Sequence, residues 1–374
     1  MKLLILSSNN GEGHNSAAKA LMEQAETRGI SAIIADTLMF DSPRRSERIK
    51  KIHVNSALYN PRIFKTGERI AARMANGPYQ SAIYYESAGF ADRIAKFCSI
   101  NGVDTVVATH VFAAEAMSYL RSWGMPFKGY FVATDYCYTT FVSDTCLDAY
   151  FVPHRDIVAD YEKKAPNRLY IPSGIPVSEN KIIKTDKRIA RERLGLPQDV
   201  PILMMMTGSM GFGNVKELTE RLLPMMPRDT AIVALCGTND ELRTELEKKY
   251  GGKCRMFATG YTTRVSEYMD AADVLISKPG GLSSTEAAVK EIALVHMSPL
   301  PGWEEENVRF FVKHGLSLSG RNAAENAAAA VKLLSSEAER EHMHSCQRQE
   351  INKYAARDII EYITTHRKSI ARRP

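Results

Sequence analysis

Short, continuous apolar runs alternate with longer amphipathic stretches along most of this chain. In the first half the runs are Lys2–Ser7, Ser31–Asp36, Asp104–Thr109, Gly129–Thr134, Ala149–Val152 and Arg168–Ile171. In the second half they are Ile202–Thr207, Ala231–Cys236, Arg255–Phe257, Val274–Ser277 and Leu294–Met297. Strand-length runs separated by helical patterns predict parallel, doubly wound sheets of the α/β class. The alternation breaks at Pro172-Ser173-Gly174-Ile175-Pro176, and a polar stretch, Ser178 to Asp199, follows. A domain boundary is therefore expected there, with one domain over 1–172 and a second over 173–354. A polar helix closes the chain over about Glu337 to Arg367, and its end, about 355–374, is expected to pack back on the first domain. Residues 41 to 90 are too many for a simple connection and predict an insertion with its own helices.

Three glycine-rich turns punctuate the strands. The sharpest is Lys278-Pro279-Gly280-Gly281-Leu282-Ser283-Ser284-Thr285-Glu286, between a strand and a helix. Such a turn leaves backbone N–H groups open at a helix N-terminus, where phosphate binds. Glu286, one turn into that helix, would repel phosphate but can accept two hydrogen bonds from a ribose diol. A second turn, Asn9-Asn10-Gly11-Glu12-Gly13-His14-Asn15-Ser16, follows the first strand. It is a partial dinucleotide fingerprint, with Ser16 where the third glycine would stand. The third turn is Thr207-Gly208-Ser209-Met210-Gly211-Phe212-Gly213. Ligands of doubly wound sheets bind at the carboxyl ends of strands near the switch point, so this turn and the 278–286 turn are expected to face one crevice. Two Rossmann-like halves account for turns this far apart.

Composition narrows the class. The chain has 374 residues, 44% hydrophobic and 25% charged, the proportions of a soluble globular protein of two or three domains. No apolar run is long enough to span a bilayer, and the first residues read as a core strand, not a signal peptide. Six scattered cysteines, none in a C-x-x-C pair, fit a reducing cytoplasm. From Pro43 to Arg73, nine basic residues, among them Arg62, Lys65, Arg69 and Arg73, meet only Glu47 and Glu68. Tyr59, Ile63, Phe64, Ile70 and Met74 interleave with them. That mixture suits an anionic membrane surface, and it equally suits a solvated helical excursion. No nucleic-acid motif accompanies the patch, and no nucleic-acid partner is expected.

The stretch from Gly260-Tyr261 through Val265, Tyr268-Met269 and Ala271-Ala272-Asp273 into Lys278-Pro279-Gly280-Gly281-Leu282-Ser283, then Pro301-Gly302-Trp303-Glu304-Glu305-Glu306-Asn307, resembles the C-terminal half of family 28 glycosyltransferases. Gly11-Glu12-Gly13-His14, Thr134-Asp135-Tyr136 and Cys236-Gly237-Thr238-Asn239 extend the likeness to nearly the whole chain. It is strongest to monogalactosyldiacylglycerol synthases and processive diacylglycerol glucosyltransferases. The resemblance implies a GT-B fold, two Rossmann-like domains facing across a cleft. It places UDP pyrophosphate on Gly280, Gly281, Leu282 and Ser283, with Thr207, Gly208 and Ser209 beside it and Gly13 in the same donor-binding set. Glu286 would hold the ribose, while Tyr261 and Val265 frame the uracil. Glu304 and Glu305 would bind sugar hydroxyls beside Trp303, with Asn307 bracing their loop; the alternative for the acidic trio is a solvated helix start.

His14 is then the general base or an acceptor-positioning group, since a helix N-terminus disfavours imidazolium. Its rival role is capping or contact with pyrophosphate. Asp135 is either a second base, a carboxylate orienting His14, or a turn residue. His110 either lines the acceptor side or is packed. The chain departs from the family twice. Trp303 stands where glutamine is common, which bears on the donor sugar. Tyr136-Cys137-Tyr138 follows Thr134-Asp135 where histidine and tryptophan are common, which bears on the acceptor. The implied activity is inverting transfer of a hexose from a UDP-sugar to diacylglycerol by a peripheral enzyme on the cytoplasmic face of the membrane. With no Asp-x-Asp near the phosphate turns, neither a catalytic metal nor another cofactor is expected. The alternatives are a UDP-sugar-binding regulatory protein with little turnover, a transferase acting on a polyprenyl-linked peptidoglycan precursor, and a UDP-sugar epimerase.

Overall fold

A computed structural model describes residues 1–8, 12–42, 80–208, 215–251 and 255–366. The chain divides into two compact units. The first comprises 1–179, 300–303 and 352–374, the second 180–299 and 304–351.

The first unit holds a parallel sheet of strands β1 (Lys2–Ser7), β2 (Ser31–Asp36), β3 (Thr105–Ala108), β4 (Lys128–Val132), β5 (Ala149–Val152) and β6 (Tyr170–Pro172). Their order is β2-β1-β3-β4-β5-β6. The strands are apolar on both faces because helices cover both. On one side, Leu3, Ile5, Val107, Val132 and Phe151 pack with Ala18, Leu21 and Ala25 of the helix Glu12–Glu26. Alanines on that helix let it lie close to the sheet. Ile359, Ile360 and Ile363 of the helix Ala355–Thr365 complete the same core, and the Tyr362 ring meets Phe151 edge to face.

The second unit holds β7 (Ile202–Met206), β8 (Ala231–Leu235), β9 (Arg255–Thr259), β10 (Val274–Ser277), β11 (Ala293–His296) and β12 (Leu318–Ser319), in the order β12-β11-β10-β7-β8-β9. All its paired strands are parallel. The two-residue β12 carries no periodicity and was not legible in the sequence. The ends of the other predicted strands, apart from β1, β2, β5 and β10, differ from the apolar runs by one or two residues, as where the run Gly129–Thr134 continues into the turn that ends β4.

The closing helix corrects the sequence reading. It is not one helix over 337–367 but two, Glu337–Glu350 and Ala355–Thr365. Asn352 makes the break. Its side chain accepts the N–H of Tyr354 (2.9 Å) and donates to the carbonyl of Ser173 (2.8 Å), an alternative to the helical ladder.

Candidate active site

In the first sheet the chain leaves β1 for β2 on one side and places β3 on the other, so the carboxyl ends of β1 and β3 form the switch point. The helix after β1 carries His14 in its first turn. It is tied to the strand by Ser7, whose hydroxyl donates to Asn15 Oδ1 (2.7 Å). His14 Nδ1 lies 2.7 Å from the carbonyl oxygen of Thr109, just past β3, and 3.1 Å from Thr134 Oγ1, past β4. A carbonyl oxygen can only accept, so Nδ1 carries the proton. In the neutral ring Nε2 then holds the lone pair and can take a proton. His110 has the opposite tautomer. Its Nδ1 caps the helix Val111–Ser122 by accepting the N–H of Phe112 (3.2 Å). The two imidazoles meet edge to face, 4.8 Å between centroids. Asp135 is half-buried one residue beyond Thr134, and Gly13 is half-buried beside His14. The structure thus gathers Gly13, His14, His110 and Asp135 at one edge of one sheet. Thr109 and Thr134, which hold His14, were given no role in the sequence reading; Thr109 stood only at the end of an apolar run, and Thr134 only in the Thr134-Asp135-Tyr136 likeness.

The second unit repeats the arrangement. β7 and β10 are paired (Met206 opposite Ser277) on either side of its switch point, so the turns after them are neighbours. After β10, Gly280 is the N-cap of the helix Gly281–Val289, and no side chain caps its amides. Gly280 has φ −75°, and a Cβ there would meet nothing within 4 Å. The fold itself therefore does not require glycine at this position. After β7, Gly208 at φ +81° does require it, because side chains disfavour the left-handed region. Thr207 is turned inward and donates to the carbonyl of Leu235 (3.5 Å). Ser209, like Arg62, Phe64, Lys65, Arg69 and Arg73, lies outside the described residues. Leu282 is buried and Ser283 half-buried in the first turn of the helix.

Glu286 is buried, with Oε1 2.5 Å from Lys181 Nζ. Glu304, opening the helix Trp303–Lys313, is not the solvated helix start that was the alternative. It is 3% exposed and its Oε1 lies 3.0 Å from Lys278 Nζ. Asn307, fully buried on the same helix, donates to the carbonyl of Pro279 (3.0 Å). Lys278, Pro279, Glu304 and Asn307 thus join the β10 turn to the start of that helix. Trp303 and Glu305 are half-buried. Tyr261, beyond β9 at the sheet edge, is 64% exposed, and Val265 opens the helix Val265–Ala271. β8 and β7 separate β9 from β10, so Tyr261 and Val265 stand apart from the β10 turn along the sheet.

Beneath the turn, His296 at the end of β11 is fully buried. Its Nε2 meets Ser284 Oγ (2.8 Å), its Nδ1 meets Ser317 Oγ (3.1 Å), and its ring lies against Phe311. Burial pushes its pKa down to about 3. Its ordinary value is about 6.5, so between those values the unfolded chain binds a proton that the folded chain does not. Stability therefore falls as pH drops from near 6.5 towards 3, by up to about 1.4 kcal/mol per pH unit from this group. His296→Gln should flatten that slope. Urea unfolding of wild type and variant at several acidic pH values checks it, and equal slopes would refute it.

Two parallel sheets, each with its candidate residues at the switch point, define the GT-B fold. Solved structures agree in fold. MurG from Acinetobacter baumannii superposes with TM-score 0.63 at 16% identity, covering 97% of this chain and 99% of that one. MnaA from S. aureus, solved with UDP, gives 0.65 at 13% identity, covering 100% and 99%. Residues 14–177 match the model for monogalactosyldiacylglycerol (MGDG) synthase, and residues 202–362 match the glycosyltransferase family 28 C-terminal domain. The chain belongs to family 28 glycosyltransferases of the monogalactosyldiacylglycerol synthase type. Among curated relatives, the processive diacylglycerol beta-glucosyltransferase of Bacillus pumilus is 25% identical, covering 99% of this chain and 98% of its own. That of Bacillus licheniformis is 28% identical, covering 90% and 87%.

Proposed function

We propose that this protein is an inverting glycosyltransferase that moves a hexose from a UDP-sugar to diacylglycerol at the cytoplasmic face of a membrane. The observation that carries the reading is the near end-to-end match to relatives named processive diacylglycerol beta-glucosyltransferase. The site geometry supports the chemistry. The acceptor hydroxyl attacks the anomeric carbon, its oxygen–carbon bond forms as the bond to UDP breaks, and its proton passes to Nε2 of His14. The uncapped amides at Gly281–Ser283 and the helix dipole stabilise the departing diphosphate, which leaves no step that calls for a metal ion. Glu286 takes the ribose, and Glu304, fixed by Lys278, takes sugar hydroxyls. The basic and apolar segment from Pro43 to Met74 meets anionic lipid. No helix among the described residues is long and apolar enough to cross a membrane, and a surface-bound enzyme needs none.

The test is direct. Purified protein is incubated with anionic diacylglycerol vesicles and UDP-glucose or UDP-galactose, and the lipids are analysed by mass spectrometry. A hexosyl-diacylglycerol is the expected product, and the productive donor identifies the sugar that the Trp303 site accepts. UDP binding without any glycolipid would overturn the reading in favour of a UDP-sugar-binding regulator.

A further inference from the structure

Glu286 presents a physical problem for any nucleotide bound at the β10 turn. It lies three residues beyond Ser283, about 4.5 Å along the helix axis from the amides that face phosphate. A carboxylate there repels a nucleoside diphosphate, and burial strengthens the repulsion. The structure supplies a counter-charge from a distant part of the sequence. Lys181, in the short helix Glu179–Ile182, places Nζ 2.5 Å from Oε1 of Glu286. The lysine side chain is 30% exposed and the glutamate side chain 10%.

Lys181 is not a loose surface lysine, because the residues after it are anchored to the same unit. The carbonyl of Ile183 accepts from buried Lys290, which is itself paired with Asp270 at 2.8 Å. The N–H of Thr185 donates to the same aspartate (3.0 Å), and Lys184 pairs with Glu291 (3.0 Å).

We infer that Lys181 is the charge-compensating residue of the nucleotide site, selecting a nucleoside diphosphate over a nucleoside. It neutralises Glu286 through Oε1 and leaves the lone pairs of Oε2 to accept from a ribose hydroxyl. Its ammonium adds attraction that grows with the number of phosphates. This assignment rests on the proposed UDP-sugar reading.

The experiment is calorimetric binding of uridine, UMP and UDP to wild type, Lys181→Gln and Lys181→Arg, at low and high salt. Lys181→Gln should weaken UDP binding about tenfold, leave uridine within about twofold, and place UMP between them. The deficit should shrink at high salt, as a screened charge effect does. Lys181→Arg should restore most of the UDP affinity. An equal loss for all three ligands would reduce Lys181 to a structural prop for Glu286. Tighter binding of all three would make it a competitor for the ribose site. Either result overturns the inference while leaving UDP as the ligand. A wild-type protein that binds none of the three would overturn the UDP-sugar reading, and the Lys181 assignment with it. Thermal melts of both variants establish that they are folded.

Discussion

His14→Ala should slow hexosyl transfer by roughly 10²- to 10⁴-fold, the usual contribution of a general base, while UDP affinity stays within about twofold. The size of the expected loss follows from the tautomer. The Thr109 carbonyl holds the proton on Nδ1, so every molecule with a neutral ring offers Nε2 as the base. His110 cannot substitute, because its own Nδ1 is committed to the N–H of Phe112 and its proton lies on Nε2. Thr134→Val should cost less, about three- to tenfold in kcat, because it removes one hydrogen bond to the ring and keeps the Thr109 contact. Thr134→Ser should recover the loss. Steady-state kinetics with UDP-hexose and diacylglycerol vesicles, beside UDP calorimetry, checks all three variants. A fully active His14→Ala enzyme would remove His14 from the mechanism.

Ile360→Ala should destabilise the first unit by about 2–5 kcal/mol, the cost of emptying a well-packed core site. Ile360 is fully buried in a cluster that includes Leu3, Leu21, Val132 and Phe151. The consequence reaches the chemistry, since Leu21 and Ala25 belong to the helix whose first turn carries His14. Glu361→Ala, exposed on the same helix, should stay within about 0.5 kcal/mol of wild type. Urea unfolding followed by circular dichroism compares the two. Equal stability of both variants would show that the last helix does not support this core.

The two sheets were legible because parallel strands buried on both faces are written as unbroken apolar runs. β1, β2, β5 and β10 coincide with those runs residue for residue. Gly208 was legible as a turn residue because its φ of +81° suits few others. What escaped notice depends on distance in the chain. Thr134 and His14 are 120 residues apart, and Lys181 and Glu286 are 105 apart. Nothing local marks a strand-end threonine as the holder of an imidazole, or one lysine among many as the partner of a buried acid. Glu304 stayed open for the same reason. Three consecutive glutamates allow a wet helix start beside the sugar-binding role until Lys278, from another element, is seen to pair with the first. The break at Asn352 was hidden inside a polar helical pattern, because the carbonyl that draws its side chain away belongs to Ser173.

The first unit closes with residues 352–366, which the ribosome makes after the second unit. Domains usually fold as they emerge, the N-terminal one first. Here the early sheet waits with one apolar face only partly covered, by the helix Glu12–Glu26, while the second unit is synthesised. The helix Ala355–Thr365 completes that cover and packs with the helix bearing His14. The order of translation therefore secures the proposed base only after the second unit has been made, so a nascent chain would carry the proposed donor site before a working acceptor side.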